Sequence, residues 1–120
     1  MLHRAFFAAL AVTMTSLVAH ADAVAPKTGE FDRDTASSVL SSVNVQVCKA
    51  KGKKAKSAPT GDGHVIVTYG PNGAATGATV DTAPFAGTKV GTCIEREYKK
   101  TKVPPFDGTP ISVGKKFTLQ

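Results

Sequence analysis

Cys48 and Cys93 are the only two cysteines in this 120-residue chain, and His64 is the histidine nearest to them. Zinc usually takes four ligands in recurrent spacings, and these three residues show no such spacing. A disulfide is the expected use of the two thiols if the chain meets an oxidising compartment; two free thiols and a metal site are the alternatives. His64 opens an apolar run after Gly-Asp-Gly, so it reads as an exposed strand residue. A nucleophile would need a base and an orienting group beside it. Ser37, Ser38, Ser41 and Ser42 instead look like the polar side of a helix. Glu95 and Glu97, two apart, point away from each other on a helix. Neither a phosphate-cradling loop nor a dinucleotide fingerprint is present. The chain reads as a non-enzyme without a cofactor.

The lysines offer a different chemistry. Lys49, Lys51, Lys53, Lys54 and Lys56 follow Cys48, and Arg96, Lys99, Lys100 and Lys102 follow Cys93. Taken singly, such runs are solvated loops and helix ends, where cations suit the free carbonyls. With the cysteines bridged, both groups lie at nearby helix ends and form one basic patch suited to an anionic envelope surface. Nucleic acid fits poorly, because no aromatic side chains interleave with the lysines for base stacking.

Compartment follows from the first segment. Residues 1–23 place Arg4 before an apolar stretch, then small residues in A-x-A spacing at Ala19-His20-Ala21 and Ala21-Asp22-Ala23. That order is a secretory signal peptide, with cleavage expected after Ala23. The apolar stretch is short for a membrane span. Cleavage removes Arg4 and Asp22 together, so the formal charge of +6 persists. The expected location is the periplasm or the outside of a bacterial cell. Eleven Gly and seven Pro exclude an all-helical bundle, and two Cys exclude a disulfide-dense knot.

Residues 24–31 read as a flexible lead. A helix is expected from Asp32 or Asp34 through Cys48, with Ala36, Leu40, Val43 and Val47 on one face, although 43–47 also alternates like a strand. A mobile connector carries the lysine run. His64 to Tyr69 is a strand, Pro71-Asn72-Gly73 a turn, and Ala74 to Asp81 the returning strand. Thr88 caps a second helix carrying Val90, Cys93, Ile94 and Tyr98, which Gly91 weakens. Ile111 to Leu119 is a last strand. The expected fold class is α+β, order α-β-β-α-β, a three-stranded antiparallel sheet with two helices on one face and one disulfide.

Gly63-His64-Val65-Ile66-Val67-Thr68-Tyr69, then Pro71-Asn72-Gly73 and Val80, resembles the first hairpin of the TonB C-terminal domain family. Cys93-Ile94-Glu95-Arg96-Glu97-Tyr98, Val103-Pro104-Pro105-Phe106 and the closing strand with Pro110, Val113 and Phe117 are similar in order and spacing. The resemblance covers 32–120 and is nearest to a divergent, two-cysteine branch in a stand-alone secreted form. The chain departs from the family in its shorter first strand and turn, and in lacking Trp. The resemblance implies a binding module whose last strand pairs with an extended segment of an envelope protein or peptide. Ile111, Val113, Lys115, Phe117 and Thr118 would then be the partner-binding edge strand. The other readings are the basic patch on an anionic envelope surface, or a structural domain with no dedicated ligand.

Overall fold

A computed structural model describes residues 29–120. The expected signal peptide and the lead as far as residue 28 lie outside the described residues. The elements are α1 (Arg33–Ser41), β1 (Gly61–Tyr69), β2 (Ala75–Val80), α2 (Lys89–Lys99) and β3 (Ile111–Leu119). The strands form one antiparallel sheet in the order β2-β1-β3. The chain is thus α+β in the order α-β-β-α-β, with both helices on one face and one disulfide between Cys48 and Cys93.

The odd-numbered residues of β1 and β3 supply the covered face. Val65, Val67, Tyr69, Phe117 and Leu119 are buried there with Val80 of β2. A strand turns alternate side chains to opposite faces, which is why one parity packs and the other is solvated. Leu40 and Ala36 of α1, and Val90, Ile94 and Tyr98 of α2, close the core. Burying a side chain of this size stabilises by about 1.5–3 kcal/mol. Phe31, at the end of the 24–31 lead, packs edge-on against Phe106 with ring centroids 5.1 Å apart; Phe85 meets Phe117 in the same way at 5.2 Å.

Asp32 caps α1 by accepting from the Thr35 N–H at 2.9 Å. The helix does not reach Cys48. It stops at Ser41, and a separate 3₁₀ turn covers Val45–Cys48, capped by the Asn44 side chain accepting from the Gln46 N–H at 3.0 Å. Ser41 and Ser42 hydroxyls bond back to the carbonyls of Ser37 and Val39, and such local bonds compete with helix continuation. Val47, expected on the apolar face, is therefore 58% exposed. The expected mobile connector contains a second 3₁₀ turn, Gly52–Lys56, with every side chain exposed.

The hairpin turn closes through Gly73, whose N–H donates to the Gly70 carbonyl at 2.8 Å. Thr88 caps α2 as expected, accepting from the Gly91 N–H at 3.0 Å. Gly91 is a packing requirement more than a weakness. A Cβ there would run into the Phe85 carbonyl oxygen, so only glycine lets the loop lie against the helix.

Candidate binding edge and basic face

β3 lies at one edge of the sheet, with β1 on its inner side. In an antiparallel ladder the N–H and C=O of one residue point the same way, and the direction alternates. The His64 carbonyl accepts from Asp81 on the β2 side, so the odd residues of β1 bond to β3. Their partners are Ile111, Val113, Lys115, Phe117 and Leu119. Four of the five edge residues expected to bind a partner thus spend their backbone groups on β1. They turn their side chains toward the helices, and Lys115 Nζ donates to Ser41 Oγ at 2.8 Å.

The outward backbone groups belong to Ser112, Gly114, Lys116 and Thr118. The last of these is already occupied. Gln46 Nε2 donates to the Thr118 carbonyl at 2.8 Å, and Gln46 Oε1 accepts from the Gln120 N–H at 3.1 Å. One side-chain amide thereby fills the two positions that a residue of a parallel neighbouring strand would fill. Among the described residues, nothing comparable reaches Ser112, Gly114 or Lys116. Gln46 was not legible as a site residue, because its role depends on the 3₁₀ turn that carries it. The opposite edge is blocked as well: the Val80 N–H on β2 donates to Glu95 Oε1 of α2 at 3.0 Å. The two edges therefore differ, one met by a helix and one open over its middle. Beside the open edge a hollow of about 270 Å³ is lined by Leu40, Val43, Asn44, Lys116 and Thr118, among others.

The uncovered sheet face carries a polar cluster that spacing did not reveal. His64 Nδ1 lies 2.9 Å from Asp81 Oδ1, and Thr118 Oγ1 donates to Asp62 Oδ1 at 2.6 Å. The hydrogen bond from His64 holds the Asp81 carboxyl below the ordinary carboxylate range, aided by the Thr82 hydroxyl. His64 Nε2 rests over Gly114, where an added Cβ would stand 2.7 Å away. An open hollow of about 470 Å³ runs past His64, Lys116 and Thr118. On the covered side, burial raises the Tyr69 and Tyr98 hydroxyls above their usual range, and Tyr69 is anchored on the Thr101 hydroxyl at 2.7 Å.

Cys48 and Cys93 are bonded, with Cα atoms 5.6 Å apart. The bridge does not join two helix ends. Cys93 lies mid-way along α2 and Cys48 ends the 3₁₀ turn Val45–Cys48. Lys49 therefore departs beside the middle of α2, and Lys51, Lys53, Lys54 and Lys56 extend from it into solvent. Arg96 and Lys99 are exposed on α2; Lys100 pairs with Glu97 at 2.8 Å, and Lys102 forms an isolated bridge to Ala74. No helix among the described residues is long and apolar enough to cross a membrane. No group of three metal-ligating side chains is found among them. Compared with protein-family models, curated proteins and solved structures, the chain matches none.

Proposed function

We propose that this chain is an exported, non-enzymatic envelope protein that binds an extended segment of a protein or peptide by strand addition at β3. The observation that carries this reading is the row of outward backbone groups at Ser112, Gly114 and Lys116, which no described residue fills. Such groups are a template for an added strand, whose backbone hydrogen bonds supply affinity and whose alternate side chains supply selectivity. The resemblance to TonB C-terminal domains supports the same strand for the same role. The nine-residue length of β3 exceeds the span that Gln46 covers, which leaves its middle for the partner.

A displayed library of extended peptides, selected against the folded chain, tests this. Selected peptides are expected to slow amide exchange at Gly114 and Lys116. Lys116→Pro removes one outward N–H without touching the β1 ladder, and is expected to abolish binding in a still-folded protein. Binding should change little between about 0.05 M and about 0.5 M salt, because its bonds are short-range. Peptides that bind without protecting these amides, or that bind the proline variant equally well, remove β3 from the account.

A further inference from the structure

Ten of the thirteen cationic side chains in residues 29–120 fall in two segments, 49–56 and 89–102. The fold brings these segments together. Cys93 shares a side of α2 with Lys89 four residues before it and Arg96 three after it. The disulfide attaches the lysine run to that side. The two acids of α2 are both engaged: Glu95 turns to the β2 edge and accepts from Val80, and Glu97 pairs with Lys100. Asp32, Asp62 and Asp81 are bound to Thr35, Thr118 and His64, on other elements. Beside the disulfide this leaves a cationic face of Lys89, Arg96 and the lysines of 49–56.

An apolar side chain lies at its border. Val47 is the most exposed large hydrophobic residue described, and it directly precedes Cys48. The adjoining 3₁₀ turn, Gly52–Lys56, buries none of its residues. A protruding lysine turn beside an exposed valine matches the two zones of a lipid interface, anionic headgroups outside and acyl chains beneath.

We infer that this disulfide-joined face docks on an anionic phospholipid surface, with the lysines of 49–56 on the headgroups and Val47 dipping below them. The face adjoins the closed end of β3, because Val47 follows Gln46 in the same turn. Reduction of the Cys48–Cys93 bond would uncouple the lysine run from α2.

Flotation of the full chain with phosphatidylcholine vesicles, with and without about one third phosphatidylglycerol, tests the inference at low salt. All samples carry the same N-terminal segment, so differences between them report this face. Binding is expected to the anionic vesicles and to fall steeply with salt. The triple variant Lys51→Gln, Lys53→Gln, Lys54→Gln should lower the partition coefficient by about a hundredfold, at about fivefold per cation. Val47→Ser should lower it several-fold. The control pair Lys115→Gln, Lys116→Gln, on β3, should leave it nearly unchanged. Equal losses from the β3 pair would mean that diffuse charge, and not this face, drives binding. An unaffected triple variant overturns the inference, as does absent binding to the anionic vesicles. An unaffected Val47→Ser, together with full competition by soluble polyphosphate, would make the occupant a soluble polyanion in place of a bilayer. Every substituted side chain except Lys115 is exposed, and circular dichroism verifies that each variant remains folded.

Discussion

Gln46 reaches across 72 residues of sequence to donate its side-chain amide to the Thr118 carbonyl at 2.8 Å, and the same amide accepts from Gln120. Among the described residues, this contact divides the edge of β3 into a closed end and an open middle. Unpaired strand edges invite unwanted pairing, and a side-chain cap limits that hazard without a further strand. Gln46→Ala is expected to release both backbone groups. The loss should be about 0.5–1.5 kcal/mol for each net hydrogen bond, with faster amide exchange at Gln120. Chemical denaturation with exchange measured by nuclear magnetic resonance reports both. Unchanged exchange at Gln120 would show that the cap does not hold in solution.

The disulfide closes a separation of 45 residues. In the chain-entropy account a loop of that length stabilises by about 4 kcal/mol, a large share of the total for so small a domain. Cys48→Ala is expected to lower the urea midpoint sharply under oxidising conditions and to have little further effect under reducing ones. Coincident curves for the oxidised parent and the variant would contradict it.

Gly91→Ala tests the close approach of the 85–88 loop to α2. Helix propensity alone favours alanine by about 1 kcal/mol. The Phe85 carbonyl stands where the new methyl group would go, so the helix or the loop must shift. Overpacking of this kind costs about 1–3 kcal/mol, so the net change is expected to be destabilising. A variant more stable than the parent would show that the loop yields freely.

Asp81 supplies the pH dependence. Its carboxyl is held below the ordinary value chiefly by the hydrogen bond from His64. A lowered folded-state pKa means that the charged form favours the native state. The contribution is complete above the unfolded-state value and is lost as pH falls through the lowered one. Titration of the Asp81 carboxyl carbon should give a midpoint below that of an unstructured peptide, and His64→Ala should move it upward. The same midpoint in parent and variant would assign the shift elsewhere.

Local patterning carried most of the architecture. The alternation of Val65, Val67 and Tyr69, and of Ile111 through Leu119, is a property of each short segment, as are the caps at Asp32 and Thr88. Each element could therefore be placed from its own residues. The run from Ala36 to Cys48 could not. Its valines suit both helix and strand, and the outcome turned on serine hydroxyls bonding backward and on Asn44 starting a new turn. Those contacts are short in sequence but close in energy to the alternatives.

The candidate sites divide along the same line. Residue types alone determined that this chain carries one possible bridge, a concentrated set of lysines, and a last strand with one apolar side. They do so because composition and alternation need no knowledge of distant neighbours. Tertiary structure alone decided which backbone groups of β3 face outward, since that parity depends on register against β1. It also decided that Gln46 closes one end of the edge, that Glu95 covers the other edge of the sheet, and that His64 finds Asp81. These pairings join residues 15 to 72 positions apart, and only the packed sheet and helices bring their atoms within hydrogen-bonding distance.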